Sequence, residues 1–251
     1  MNSISNPSSW WSTFFTGLMT DVQVKMNNPA QTLGEAEFIK ATLELPRGAA
    51  IADIPSGDGR LSIALAREGY RVYGVDISAD IIRVAKEAAT RSEVDVDFRV
   101  QDMKSLTWSS ELDGAFCFGN SFAYFDDADN ALFLRGIFRA LKTGGRFILQ
   151  TNLIAESILT RPLTRSWYNF ADILFLHSPV YDPPTARLTS EYTLVRGDLR
   201  ETKKAHYRIY TLKELMVMLQ SAGFRELKMF GGLGHEPFKL GDPALYVLAT
   251  K

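Results

Sequence analysis

Two hydrophobic periods divide this 251-residue chain. From Glu35 to Leu43 apolar positions recur at helical spacing and lead into an apolar run, Ala49 to Ile54, that predicts a buried strand. Arg60 to Glu68 then predicts a helix closed by Gly69, and Arg71 to Val75 a second strand. Ser78 suits the N-cap of a helix reaching about Thr90. Val94 to Val100 alternates as a strand and Gly114 to Phe118 is apolar throughout. A helix from Asp126 or Asp127 runs to Leu141, and Gly144-Gly145 breaks it before the strand Arg146 to Thr151. Strands alternating with helices predict an α/β fold with a doubly wound, mostly parallel sheet.

After Thr151 the pattern changes. Residues Glu156 to Pro184 are rich in Trp, Tyr, Phe and Pro without a clear period, including Trp167, Tyr168, Phe170, Phe175 and Tyr181. These side chains would either line an apolar pocket or pack the insertion. Ala186 to Val195 and Leu199 to Ile209 predict an antiparallel hairpin around Arg196-Gly197-Asp198, a turn rather than an adhesion motif because both flanks alternate. Thr211 to Glu214 is a capping box opening a helix that stops at Gly223, and two strands follow, Glu226 to Phe230 and Leu245 to Ala249. At the other end, Trp10, Trp11, Phe14, Phe15, Leu18 and Met19 predict a short amphipathic helix, which would pack on the domain or cover a cleft. Two units result: an N-terminal helical segment, 1–32, and a main domain, 33–251, with an insertion at about 156–210.

The chemistry concentrates in Ile51-Ala-Asp53-Ile-Pro55-Ser-Gly57-Asp-Gly59-Arg60 and Val72-Tyr-Gly-Val-Asp76-Ile77-Ser78. A strand, a glycine turn and a helix start bring unpaired N–H groups and a positive dipole end to one place. A carboxylate ending the next strand can accept from two ribose hydroxyls. A dinucleotide site would want a third glycine where Ser62 stands, and its pyrophosphate gains nothing from Asp53. A ligand carrying an ammonium group does. Ligands of such sheets bind beyond the carboxyl ends of the strands, where Asp53, Asp76, Asp102 and Asn120 converge.

With these two motifs the chain resembles the class I S-adenosylmethionine (SAM)-dependent methyltransferases, whose first motif is an acid followed by G-x-G and whose second is the strand-end acid. Pro55 and Ser56 depart from the family's usual Gly and small residue. Phe98 to Met103, with Asp102, matches the acid that bonds the adenine amino group. Leu112 to Phe125 matches the fourth strand and the substrate-facing loop, and Leu141-Lys-Thr-Gly-Gly145 a family turn with Thr143 in place of proline. The resemblance extends over most of Leu33 to Lys251. It implies a Rossmann-like sheet with an antiparallel last strand, SAM as cofactor and S-adenosylhomocysteine as product. It also implies contacts from Asp53, Pro55, Gly57, Gly59, Arg60, Asp76, Ile77, Asp102, Met103 and Asn120, with Trp11 in the N-terminal lid.

Composition narrows the partners. With 46% apolar and 23% charged residues and a net charge of −1, the chain has the make-up of a soluble globular protein. It has no basic run, so no nucleic-acid partner is expected. No stretch is long enough to span a bilayer, and the lone cysteine, Cys117, suits a reducing compartment, so the expected location is the cytoplasm. The inserted hairpin offers an edge for a homodimer. The three histidines, His177, His206 and His235, have no metal-binding spacing.

Methyl transfer from a sulfonium is an in-line displacement, for which alignment and water exclusion matter most and a base only if the acceptor is protonated. His206, His177 and Tyr124 are the catalytic candidates. The expected reaction is methylation of N or O on a small molecule; nucleobase methylation is disfavoured because Asn120 to Phe125 lacks the N/D-P-P-Y/F arrangement. Two other functions remain open at this point: a SAM-binding protein of the same fold without transfer activity, and a nicotinamide oxidoreductase.

Overall fold

The computed structural model describes residues 9–251. Three N-terminal helices come first, α1 (Trp11–Phe14), α2 (Leu18–Lys25) and α3 (Pro29–Leu43). The alternating part follows as β1 (Ala50–Asp53), α4 (Arg60–Arg67), β2 (Arg71–Asp76), α5 (Ala79–Arg91), β3 (Val96–Val100), β4 (Leu112–Cys117), α6 (Asp127–Ala140) and β5 (Leu141–Thr151). Then come α7 (Ala155–Ile158), β6 (Ser166–Phe170), β7 (Ile173–Asp182), β8 (Arg187–Arg196), β9 (Leu199–Arg208), α8 (Leu212–Ala222), β10 (Glu226–Phe230) and β11 (Leu245–Thr250).

The main sheet has seven strands in the order β10-β11-β5-β4-β1-β2-β3. Strands β1 to β5 are parallel, whereas β11 runs antiparallel to β5 and β10 antiparallel to β11. Helices cover both faces, which is why β1 and most of β4 are buried at every position and read as continuous apolar runs. The strand order reverses between β1 and β4, and that reversal opens a crevice at their carboxyl ends.

Three local expectations are corrected. Gly144 and Gly145 do not precede β5 but lie within it; a register shift opposite Leu112 and Gly114 absorbs the extra residues as a bulge. The N-terminal amphipathic stretch is two helices, not one. The chain breaks at Gly17, with φ of 61°, where Glu201 Oε1 would lie 2.5 Å from an added Cβ. The insertion is larger than a hairpin: β6 and β7 extend it to a four-stranded antiparallel sheet, β6-β7-β8-β9. Their alternation is masked in the sequence because the solvent side carries Trp167, Leu176 and Val180, all exposed.

One face of this second sheet packs on the N-terminal helices. Phe14 lies edge-on to Tyr192 at 5.5 Å, and Trp10 edge-on to Tyr207 at 5.5 Å. Polar contacts fasten the same junction: Leu18 N–H donates to Glu201 at 3.1 Å, Lys203 donates to the Thr13 carbonyl at 2.9 Å, and Arg196 pairs with Asp21.

Candidate functional site

The turn after β1 is held by its own backbone. Ser56 N–H donates to the Val75 carbonyl at 2.8 Å, and Gly59 N–H to the Ser56 carbonyl at 3.0 Å. Gly57 and Gly59 have φ of 53° and 80°, a region side chains disfavour. A Cβ on Gly59 would lie 2.5 Å from the Phe98 ring, so that glycine serves the packing of β3 against the turn.

Three buried carboxylates surround the turn: Asp53, Asp58 and Asp76. Burial pushes Asp53 up to about 7 and Asp76 up to about 6, and it raises Asp58 as well. Asp76 accepts Ser78 N–H at 2.9 Å and Gly57 N–H at 3.1 Å, which fixes its carboxylate at the end of β2. Asp53 accepts the Ser62 hydroxyl at 2.7 Å. Ser62, read from the sequence only as a missing glycine, is thus the partner of the motif's acid.

Arg60 is not brought into the site. Its guanidinium pairs with the buried Glu35 at 2.6 Å and donates to Thr32 at 3.2 Å. With the nearest arginine so engaged, an acid-rich turn favours a cationic ligand. SAM, with its sulfonium and α-ammonium, fits that charge pattern.

Beside the turn, Trp11, Pro55, Asp76, Ile77, Asp102, Met103 and Tyr124 line one pocket together with Phe15, Gln101 and Phe125. Seven expected residues therefore meet. The last three are not among the expected site residues, although Phe15 belongs to the amphipathic stretch, Gln101 lies within the Phe98–Met103 motif and Phe125 ends the substrate-facing loop. Asp102 caps the turn at Met103–Ser105 by accepting Lys104 N–H at 2.9 Å. Trp11 stacks edge-on against Phe125 at 4.6 Å, and Ser78 donates to the Phe15 carbonyl at 3.0 Å. The space left between these side chains is only about 30 Å³, room for about one or two waters. Asn120 lies outside this pocket, accepting Asn152 N–H at 2.6 Å.

Tyr124 joins the pocket to the second sheet. Its ring is 4.9 Å from Trp10 and 5.6 Å from Tyr207, whose hydroxyl is 3.5 Å from that of Tyr192. Burial raises the Tyr124 phenol far above its usual range, so it stays a neutral hydroxyl. His177 stacks on Tyr192 at 4.8 Å with rings 9° apart, and its Nε2 is 3.0 Å from the Ser190 hydroxyl. Burial lowers the pKa of His177.

His206 is elsewhere. Strand alternation turns it to the opposite face from Tyr207, where Nδ1 meets the Thr189 hydroxyl at 3.0 Å. Of the three catalytic candidates, His206 is the one on the sheet face opposite Tyr207, the neighbour of Tyr124. His235 is remote too, bonded to Thr42 at 2.8 Å and stacked on Phe38. Cys117 is a buried core thiol whose pKa burial raises.

Residues 51–145 match the family described as a methyltransferase domain. A ubiquinone biosynthesis O-methyltransferase of Xanthomonas oryzae pv. oryzae is 28% identical over 149 residues, 55% of this chain and 61% of that protein, so the match spans less than two thirds of the relative. The CcbJ methyltransferase of Streptomyces caelestis superposes with a TM-score of 0.80 at 17% identity, covering 95% of this chain and 98% of that one. A SAM-bound amino pentose methyltransferase of Micromonospora echinaspora superposes with a TM-score of 0.70 at 14% identity, over 94% and 98%.

Proposed function

We propose that this chain, a class I SAM-dependent methyltransferase by its matched domain and its fold, methylates N or O of a small molecule seated against the aromatic face of its second sheet. The observation that carries this reading is the position of Tyr124. It lines the pocket that contains Asp76 and also packs against Tyr207 of β9, so one side chain borders both the cofactor side and the second sheet.

SAM supplies an electrophilic methyl group on a positively charged sulfur. Asp76 would hold the ribose hydroxyls, and Asp102 and Met103, which line the same pocket, the adenine end. Asp53 contributes negative potential near the turn and is itself steadied by Ser62. Tyr124 orients the acceptor, and the surrounding rings of Trp10, Tyr192 and Tyr207 exclude water. An acceptor amine or hydroxyl would pass its proton to a base such as His177 as it takes the methyl group, with S-adenosylhomocysteine as the leaving thioether. His177 is the nearer of the two histidine candidates to that chamber, since it shares the sheet face of Tyr192.

The segment from Trp10 to Lys25 acts as a lid. A space of about 30 Å³ cannot hold a nucleoside, so Trp11 and Phe15 swing outward to admit cofactor and return over it. The substrate class is an apolar or ring-bearing acceptor, because the rings of Trp10 and Tyr207 flank Tyr124. The names of the relatives, one an O-methyltransferase and one acting on an amino pentose, are compatible with either atom.

Titration of the purified chain with S-adenosylhomocysteine, SAM and NADH tests the reading. Micromolar binding of the first two and not of NADH is expected, followed by methyl transfer in a screen of small phenols, hydroxy acids and amino sugars. Tight NADH binding would overturn it. Cofactor binding without transfer to any acceptor would favour a binding protein of the same fold.

A further inference from the structure

The lid reaches the glycine turn with one polar side chain that the packing leaves unsatisfied. Gln23 sits on α2, and its Nε2 lies 2.7 Å from where a Cβ of Gly57 would project, so the carboxamide is in contact with the bare face of that glycine. Its Oε1 is buried and has no hydrogen-bond partner among the described residues. A buried carbonyl oxygen without a donor is costly, roughly 1–3 kcal/mol. Just beyond the end of α2, Asn27 donates to the buried Asp58 of the same turn. Two amides four residues apart therefore face the motif side by side, one with a partner and one without.

We propose that Gln23 binds the α-amino-carboxylate end of the cofactor, its N–H donating to the carboxylate and its unpartnered oxygen accepting from the ammonium. This rests on the SAM reading above and extends it to a residue outside every family motif. The chemistry is matched: a carboxamide offers one donor and one acceptor side by side, and an α-amino acid offers the converse pair. Position is matched as well, because only a glycine at 57 lets a ligand and the lid approach the turn together. Removal of a Cβ there serves no packing need in the main domain, since the Gln23 amide is all that the Cβ would meet.

The consequence is selectivity in lid closure. α2 is tied to the second sheet by Asp21 to Arg196 and by Lys25 to Asp172. A ligand that bridges Gln23 to the turn thereby draws the helix, with Trp11 and Phe15 ahead of it, down onto the nucleoside. A nucleoside lacking the amino-acid tail fills the pocket but leaves Gln23 without a partner.

Calorimetric titration of the full chain and of Gln23→Ala with S-adenosylhomocysteine and with 5′-methylthioadenosine tests this. Alanine is a good helix former, so α2 persists in the variant. The expected result is an affinity for S-adenosylhomocysteine lowered about tenfold or more, with methylthioadenosine changed less than about twofold. Gln23→Glu, which sets a negative charge against the carboxylate, is expected to weaken S-adenosylhomocysteine further than alanine does. Equal losses for both ligands, a loss below twofold for S-adenosylhomocysteine, or a glutamate variant that binds like wild type would overturn the proposal. Failure of the unaltered chain to bind either ligand would instead overturn the cofactor reading, and this inference with it.

Discussion

The Ser78 hydroxyl donates to the Phe15 carbonyl across 3.0 Å, joining residues 63 apart in sequence. Ser78 also supplies the N–H that Asp76 accepts at 2.9 Å. The strand-end acid and the lid are thus held through one serine, and movement of the lid is felt beside the carboxylate that is proposed to hold ribose.

Replacing Asp76 with Ala removes charge-assisted bonds to the ribose hydroxyls and frees Gly57 N–H. Cofactor affinity is expected to fall by about 1.5–3 kcal/mol, roughly ten- to 150-fold. Thermal melting establishes that the variant is folded, and an unchanged dissociation constant for S-adenosylhomocysteine would remove Asp76 from the site.

Asp53 and Asp76 carry their protons to higher pH in the folded chain than the ordinary 3.8, to about 7 and about 6. Their contribution to stability is therefore complete below about pH 4 and is lost as pH rises toward 7. The melting temperature of the cofactor-free chain is expected to decline over that window. Affinity for SAM moves the other way, because ionised Asp76 is the form that accepts from ribose. A gain of about tenfold between pH 5 and 7.5 is expected by titration calorimetry. A dissociation constant flat across that range would contradict it.

The lid's outer fastening is electrostatic. Arg196 pairs with Asp21 and, at 3.0 Å, with Asp172, which also holds Lys25. Arg196→Ala is expected to quicken cofactor dissociation a few-fold at low salt, with the difference closing near about 0.5 M salt as screening takes over. Stopped-flow fluorescence of Trp10 and Trp11 reads that rate directly. Equal rates for variant and wild type at low salt would disconnect the pairs from lid opening.

Base chemistry separates the two histidines. His177→Ala is expected to lower kcat by about 100-fold or more for a protonated acceptor, remove the acid limb of the pH–rate profile and leave cofactor affinity within about twofold. His206→Ala keeps both the limb and the affinity. The reverse pattern would assign the proton to His206, across the sheet from Tyr207, and would require the acceptor to bind on that other face.

Much of the fold was legible because it rests on short-range physics. The alternation of buried strands and amphipathic helices from Ala50 to Thr151 needs only periodicity and caps, and Ser78, Asp126 and Thr211 cap the helices they were expected to cap. That Asp76 and Asp102 line one pocket follows from parallel strands, whereas Asn120 lies outside it. Less legible was the segment from Glu156 to Pro184, where exposed Trp167 and Tyr168 on β6 and exposed Leu176 and Val180 on β7 hid the two-residue period. Arg60 misled for a related reason: its position in the motif is local, but its partner Glu35 lies on a helix that packs against α4.

By itself, then, the sequence determined the Rossmann-like core, the acid before the glycines, the acid at the end of β2 and the cofactor class. Each depends on residues within a few positions of one another, where dihedral preferences and strand direction leave little choice. Tertiary structure alone decided which side of β9 holds Tyr207 and which holds His206, since that is a matter of register. It also decided that Ser62 serves Asp53, and that Trp11, Phe15 and Gln23 lie over the turn. Those placements depend on contacts between segments distant in the chain, whose meeting no local spacing encodes.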